Sequence, residues 1–151
     1  MSNRTILVLL SFIICLTGNA QSKLSDFSKK NYDLGIASYG KKEYSEAISY
    51  FSKVTKSYPK HSYSYYYRGL SYIKSNKEQL ALVDFKYLIN SNQLADKAHL
   101  EIGKIYMNQL NYTKALESFS SAKLVNPKNA AIYYQEGILY YKRKKHQKAI
   151  G

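Results

Sequence analysis

Four glycines recur along this 151-residue chain at a spacing of 34 residues, without an insertion between any two of them. Two further columns keep the same register, one of alanine and one of phenylalanine. A fixed period of this length indicates an array of supersecondary units that cannot bury their apolar sides alone and must stack on their neighbours. The residues predicted to pack between the stacked elements are Gly35, Ala47, Phe51, Gly69, Ala81, Phe85, Gly103, Ala115, Phe119, Gly137 and Ala149.

The most regular copy begins at Gly103 and continues through Tyr106, Ala115 and Phe119 to Pro127. This pattern resembles the tetratricopeptide repeat, W-x2-L-G-x2-Y…A-x3-F…P. The resemblance implies an all-α fold, a right-handed superhelical solenoid of antiparallel helix pairs, with about 3.5 repeats, the last one truncated. In each pair, called helix A and helix B, the glycine and alanine are small where two helices cross closely, and the phenylalanine fills the space beside them.

The repeats are predicted at 28–61, 62–95, 96–129 and, incomplete, 130–151, after a polar lead segment at 21–27. Pro59 and Pro127 punctuate the array, because proline lacks the amide donor and disfavours helix in the preceding residue. Gln93 stands at the corresponding place in the second repeat. In the fourth repeat, the basic residues 142–146 are expected at the turn between helices A and B, and the sequence stops midway through helix B. A truncated product, a fragment of a longer gene and an end covered by a partner all fit this expectation.

The first twenty residues predict a cleaved secretory signal. Arg4 precedes an apolar run from Ile6 to Leu16, and Gly18 and Ala20 lie at the spacing that a signal peptidase accepts. The run has about eleven residues, whereas a membrane-spanning helix needs roughly 20. The only cysteine, Cys15, follows Ile14 instead of a small residue, which disfavours a lipoprotein signal. Cleavage after Ala20 would leave no cysteine and, with Arg4 the only charge removed, would lower the net charge from +13 to +12.

The sequence offers no constellation for catalysis, metal binding or cofactor binding, so we predict a chain that is not an enzyme and takes no small-molecule substrate. His61, His99 and His146 lack the paired spacing of a metal site. No G-x-S-x-G, glycine-rich phosphate loop or CxxC pair is present, and the ten carboxylates are scattered along the repeats. Nucleic acid is not expected as a partner, because no groove-reading motif is present.

The resemblance instead implies a concave groove, lined by the helix A faces, that binds peptide segments. The implied groove residues are Lys29, Tyr32, Ile36, Tyr39, Tyr63, Tyr66, Tyr67, Leu70, Ile73, Lys97, Leu100, Lys104, Met107, Tyr134, Ile138 and Tyr141. Tyrosine supplies rigid contact area with a polar tip, which suits recognition surfaces. Tyr32 and Ile36 occupy places where a groove that clamps chaperone tails would carry Lys and Asn, so that specificity is not carried over.

The expected function is a protein-binding scaffold of the periplasm or cell envelope, with a protein or peptide partner. The alternatives are an adhesion module, in which the basic surface binds anionic glycans or lipid head groups, and the N-terminal fragment of a larger envelope or sensor protein. The densest charge run, residues 142–146 with Lys148, either is simply solvated or contacts such a surface.

Overall fold

The computed structural model describes residues 25–150, with side chains as far as Lys148, and this part of the chain contains seven α-helices and no strand. The predicted signal at 1–20 lies outside the described residues. The helices are α1 (25–40), α2 (Tyr44–Ser57), α3 (Ser62–Lys74), α4 (Glu78–Asn90), α5 (Ala95–Asn108), α6 (Tyr112–Val125) and α7 (Ala130–Ile150). The all-α fold of paired helices predicted from the 34-residue period is therefore confirmed.

The odd-numbered helices are the A helices and the even-numbered ones the B helices of the repeats. The chain divides into two compact units between Ser64 and Tyr65, here called the N-terminal and the C-terminal unit. In the C-terminal unit, α5 packs against α4, α6 and α7. Two buried clusters hold this unit together, one around Phe85 and Leu88 and the other around Phe119 and Leu139.

The glycine and phenylalanine columns meet inside the helix pairs. A Cβ atom at Gly35 would lie 2.6 Å from Cε1 of Phe51, and one at Gly69 would lie 2.7 Å from Cε1 of Phe85. At Gly103 the Cβ position is 2.5 Å from Cδ1 of Phe119. Because these three rings are fully buried, only glycine allows helix A to approach the ring so closely.

The first three repeats make the same turn between helices A and B. The residue two positions before helix B is left-handed in each repeat, and the amide after it donates a hydrogen bond to a carbonyl five residues back, which closes a Schellman motif. The left-handed residues are Lys42 (φ 66°), Asn76 (φ 57°) and Leu110 (φ 60°). The closing bonds run from Glu43 to Ser38 at 2.9 Å, Lys77 to Tyr72 at 2.8 Å and Asn111 to Tyr106 at 2.9 Å.

Leu110 is poorly suited to this turn, since a residue with a bulky side chain is strained in the left-handed region. Its side chain is exposed, so little buried area would be lost on replacement. We expect Leu110→Asn to raise the free energy of unfolding by about 0.5–1 kcal/mol, measured by urea denaturation with an unchanged m value. The reverse change at the matching position, Asn76→Leu, should lower it by a similar amount. A loss of stability in Leu110→Asn would contradict this interpretation.

The connections between repeats differ according to whether proline is present. Tyr58 and Asn126 precede the prolines and are extended, with ψ values of 79° and 85°. Where Gln93 replaces proline, Asn92 is left-handed at φ 53° and the Gln93 amide bonds to the Leu88 carbonyl at 2.9 Å. The prolines therefore force an extended exit, whereas the second repeat leaves its helix B through another Schellman motif.

The expected turn at residues 142–146 is absent, which corrects the prediction for the fourth repeat. Helix α7 continues through these residues to Ile150. Lys142, Arg143, Lys144 and Lys145 are all good helix formers, and no glycine or asparagine favours a left-handed residue among them. The local sequence therefore favours continuation of the helix over a turn.

The lead segment predicted at 21–27 is also shorter than expected, because α1 already includes residues 25–27. Residues 21–24 lie outside the described part. Within residues 25–150, no helix combines the length and apolar character required to cross a bilayer.

Candidate peptide-binding surface

The A helices of the C-terminal unit carry the candidate surface, which we call the helix-A surface. It comprises the accessible residues Tyr66, Tyr67, Leu70, Lys97, Lys104 and Ile138, from α3, α5 and α7. All six are partly exposed. They recur on one side of each A helix because the repeat period returns the same helical face at every step.

Two tyrosines and a lysine form the most concentrated feature of this surface, here called the tyrosine cluster. The rings of Tyr66 and Tyr67 meet edge to face with their centroids 5.6 Å apart. The ammonium of Lys97, on the next A helix, lies 5.8 Å from the centre of the Tyr66 ring. Tyr66 also leans on the buried ring of Phe85, at 6.2 Å between centroids. The cluster is thus anchored to the core and presents rigid aromatic area beside a cation.

Lys104 lies two turns along α5 from Lys97 and forms an ion pair with Glu101, with 2.8 Å between Nζ and Oε1. Glu101 is largely buried, whereas Lys104 keeps about a third of its side-chain surface exposed. The ion pair therefore holds the Lys104 side chain in place on the helix-A surface, where it remains accessible.

Leu100 and Met107 were predicted in the groove, but the structure places both in the core. They are 6% and 4% exposed and pack with Ile132 and Leu139 of α7. The next A helix stacks on this side of α5, so these two side chains are closed to a partner. Ile73 occupies the place of Met107 one repeat earlier and packs against the cluster that contains Ile105.

The predicted groove residues of α7 lie at different depths. Tyr134 and Tyr141 are 68% and 70% exposed, and Ile138 is partly buried against the second core cluster. Gly137 and Ala149 were predicted to pack between helices. No atom lies within 4 Å of the Cβ position of Gly137, and the side chain of Ala149 is not described.

The N-terminal unit holds the remaining predicted groove residues. Tyr32 lies edge to face with His61 at 4.7 Å, and Tyr39 meets Tyr44 at 5.8 Å. Lys29 and Tyr63 are exposed, and Ile36 is partly buried.

A cavity of about 390 Å³ opens between α1, the end of α2 and the loop after it. Lys29 and Tyr32 were predicted as residues of the helix A groove, and this cavity was not predicted, because Val54, Ser57 and Tyr58 lie on a B helix and beyond it. Its full lining is Ser25, Ser28, Lys29, Tyr32, Val54, Ser57, Tyr58 and His61. The Ser28 and Ser57 hydroxyls are hydrogen-bonded to each other at 2.9 Å across it.

Sequence reasoning also missed a largely buried ion pair between α3 and α4. Arg68 donates two hydrogen bonds to Asp84 of α4, from Nε to Oδ2 at 2.8 Å and from Nη2 to Oδ1 at 2.6 Å. The Arg68 guanidinium also lies over the Tyr65 and Tyr72 rings, 5.3 and 6.0 Å from their centres. The sequence feature that could have indicated this ion pair is Arg68 itself, because the first and third repeats carry the apolar residues Leu34 and Ile102 at the same position.

The pKa shifts of the buried side chains follow from burial and from the Arg68–Asp84 ion pair. Burial raises the pKa of the Asp84 carboxyl, and the hydrogen bonds and charge of Arg68 oppose that rise. Burial likewise lowers the pKa values of His61 and His99. Within residues 25–150, no three His, Cys, Asp or Glu side chains come together as a metal site.

Similarity to known proteins agrees with this architecture. The tetratricopeptide repeat pattern matches residues 32–93 and 100–151, which is well over half of the chain. Human DnaJ homolog subfamily C member 7 is 30% identical over 96 residues, which make up 64% of this chain and 19% of that protein. Mouse tetratricopeptide repeat protein 12 is 28% identical over 94 residues, or 62% of this chain and 13% of the relative. The chain thus spans less than a fifth of either relative.

Solved structures share the fold. The Arabidopsis OM64 TPR domain has a TM-score of 0.71 at 20% identity, covering 79% of this chain and 98% of that domain. The Sgt2 TPR domain from Aspergillus fumigatus has a TM-score of 0.68 at 22% identity, covering 82% of each chain. Because the family's repeat pattern matches well over half of the chain, the chain belongs to the tetratricopeptide repeat family. The fold of this class serves as a protein-interaction scaffold, because stacked helix pairs present an extended surface.

Proposed function

We propose that this chain is a non-catalytic scaffold of the cell envelope that binds a peptide or protein segment on its helix-A surface. The observation that carries the proposal is the tyrosine cluster, where the Tyr66 ring lies within 6 Å of both the Tyr67 ring and the ammonium of Lys97 from the next repeat. Aromatic side chains on a rigid scaffold lose little conformational entropy on binding and give large contact areas. The favoured ligand is a segment with apolar anchors for the tyrosines and an excess of acidic residues, since the chain carries a net charge of +13.

Replacing both tyrosines of the cluster tests this proposal. We expect Tyr66→Ala with Tyr67→Ala to weaken the binding of peptides selected from a random library on the full chain by about tenfold or more, because tyrosine anchors dominate such interfaces. Binding is measured by fluorescence anisotropy, and helical content by circular dichroism.

A matched control removes two tyrosines of the same helix pair that are not part of the tyrosine cluster. Tyr65 stacks on Tyr87 with 4.0 Å between ring centroids. Tyr65→Ala with Tyr87→Ala should therefore leave peptide affinity within about twofold of the native value. Equal losses in the two double variants, or no loss in the first, would contradict the proposed site.

The envelope location rests on the predicted signal at residues 1–20. We propose that the chain is exported and cleaved after Ala20. Mass spectrometry of the mature N-terminus, recovered from the secreting cell, is expected to begin at Gln21. A protein that retains Met1 or Ser2 in the cytoplasmic fraction would refute export.

The adhesion alternative is favoured by the exposed cations of α7, Lys142, Arg143, Lys144 and Lys145. Anionic envelope material would be attracted to this end of the helix. Its binding would fall steeply with ionic strength and would not depend on the tyrosine cluster. Salt-indifferent binding that is lost with Tyr66 and Tyr67 would decide for the peptide-binding function.

A further inference from the structure

Helix α4 carries three exposed apolar side chains in a row along one side, here called the α4 stripe. Leu80, Val83 and Tyr87 are spaced three and four residues apart, so they share one face of the helix. They are 47%, 63% and 36% exposed. The Tyr87 ring is held against α3, because it stacks on the Tyr65 ring with 4.0 Å between centroids. The α4 stripe therefore presents apolar surface to solvent in the middle of the repeat array.

The B helices of the first and third repeats show that the fold does not need apolar residues at these positions. The matching residues are Glu46, Ser49 and Lys53 in α2 and Lys114, Glu117 and Ser121 in α6. All six are polar or charged, and all are at least partly exposed. Because the same repeat forms with polar side chains here, packing within the chain does not explain the apolar residues of α4. Exposed apolar surface of this kind marks an interaction site.

The position of the α4 stripe in the array argues for a separate molecule as its cover. In repeat arrays each repeat contacts only the repeats beside it. The second repeat, which contains α4, has one repeat before it and another after it in the sequence. Further repeats at either end would stack on the first or the last repeat of the array, and not on the second.

The exposed side of α4 is complementary to a second copy of itself. In an antiparallel pair with a twofold axis at Val83, each residue lies opposite the one at about the same distance beyond the axis. Val83 then meets its own copy, and Leu80 meets Tyr87. On the other flank of the helix, Gln79 meets Lys86, and both are exposed. Apolar side chains thus contact apolar ones, and the Gln79 amide oxygen can accept from the Lys86 ammonium.

The charges of α4 also favour the antiparallel arrangement. A parallel pair with the same contact would place Lys86 against its own copy, and like charges in contact are repelled. In the antiparallel pair, the positive end of each helix dipole lies beside the negative end of the other. The two carboxylates of α4 are already bonded within the chain, Glu78 to Gln109 and Asp84 to Arg68. The α4 stripe therefore does not call for a charged partner.

We propose that the α4 stripe is the contact of a symmetric dimer of this chain, in which two α4 helices pack antiparallel about Val83. One helix from each copy gives a contact at the small end of specific interfaces, so the dimer is reversible and forms at high protein concentration. This site is separate from the tyrosine cluster and does not depend on the function proposed for it.

The net charge gives this dimer a distinctive dependence on salt. Each copy carries a net charge of +13, so the two copies repel each other outside the contact. Salt screens this repulsion, and added salt should therefore strengthen the dimer. A partner held by charge attraction would show the opposite dependence.

Sedimentation equilibrium of the full chain, at low and at high salt, tests the proposal. We expect a concentration-dependent dimer whose association constant rises about threefold or more between about 50 and 500 mM sodium chloride. Leu80→Lys with Val83→Glu should weaken it by about tenfold or more, because two carboxylates then meet at the axis. The third repeat carries Lys114 and Glu117 at these positions, so the variant should keep its full helical content by circular dichroism.

The matched control is Leu124→Lys with Val125→Glu, which makes the same two substitutions at another pair of exposed apolar residues. Leu124 and Val125 are 87% and 49% exposed. This control should dimerise like the native chain. The proposal is overturned if the dimer survives the α4 variant, or if the control loses the dimer equally. A native chain that stays monomeric at every concentration and salt would also overturn it and would assign the α4 stripe to a different protein.

Cysteine crosslinking tests the antiparallel register. In a chain with Cys15→Ser, Val83→Cys should form an intermolecular disulfide in the presence of diamide, because the axis places this position beside its own copy. Gln79→Cys should not, since four residues on each side of the axis separate its two copies by about 12 Å along the helices. Equal crosslinking at both positions would contradict the antiparallel dimer.

Discussion

Replacing Asp84 with alanine is expected to lower the free energy of unfolding by about 3 kcal/mol, because it removes one member of a largely buried ion pair. The side chain of Asp84 is 4% exposed and that of Arg68 is 17% exposed. Breaking a buried ion pair costs about 3–5 kcal/mol, and the partial exposure of Arg68 places the expected loss at the lower end. Urea denaturation of the native chain and of Asp84→Ala measures this loss.

The third repeat supplies the rescue for this loss. It carries Ile102 and Ser118 at the positions of Arg68 and Asp84, and both are buried. The double variant Arg68→Ile with Asp84→Ser should therefore recover to within about 1 kcal/mol of the native stability, since it removes both charges at once. If this double variant is no more stable than Asp84→Ser alone, the ion pair is not the cause of the loss.

The loss of stability in the single variant Arg68→Ile should depend on pH. Burial already raises the pKa of Asp84, and removing Arg68 removes the hydrogen bonds and charge that oppose this rise. A carboxyl whose pKa is higher in the folded state than in the unfolded state contributes stability below the unfolded value, and this is lost as pH rises through the folded value. Arg68→Ile should therefore be less destabilised near about pH 4 than near about pH 7. An equal loss at both values would contradict this assignment.

Replacing Gly103 with alanine is the second change with a large expected effect. It should lower the free energy of unfolding by a net amount of about 2 kcal/mol. The new Cβ would lie 2.5 Å from Cδ1 of Phe119, a ring that is fully buried. Overpacking of this kind costs about 1–3 kcal/mol, and here the contact is at the severe end. The preference of helices for alanine over glycine, about 1 kcal/mol, offsets part of the cost.

Gly137→Ala is the matched control, and it should change the free energy of unfolding in the opposite direction. No atom lies within 4 Å of the new Cβ, so the variant keeps the helix preference and should gain about 0.5–1 kcal/mol. Thermal and urea unfolding of Gly103→Ala and Gly137→Ala measure both effects. Two changes of the same sign would show that the contact with the phenylalanine ring does not determine the outcome.

Particular residues show how far the sequence could predict this structure. Pro59 was predicted to punctuate the array, and α2 ends at Ser57, two residues before it, because proline disfavours helix in the preceding residue. The turn at residues 142–146 was predicted by register alone and is helical. A local sequence of good helix formers turns only when a second helix packs back against the first, and that is a tertiary condition.

The candidate surface, too, could be predicted only in part from the sequence. Tyr66, Tyr67 and Lys97 were all predicted from their places in the repeat, and the structure brings them together. Leu100 and Met107 share the same register but are buried, because the next A helix covers them. The pairing of Arg68 with Asp84, sixteen residues apart, could not be predicted from helical spacing, because the two residues lie on different helices.

The sequence alone determined the helix-pair architecture of this protein, because a 34-residue period with small and aromatic columns can be satisfied only by units that pack on one another. Only the tertiary structure decided which of the repeated positions remain accessible. Accessibility depends on what the neighbouring helix covers, and the same position is buried in α5 and open in α7.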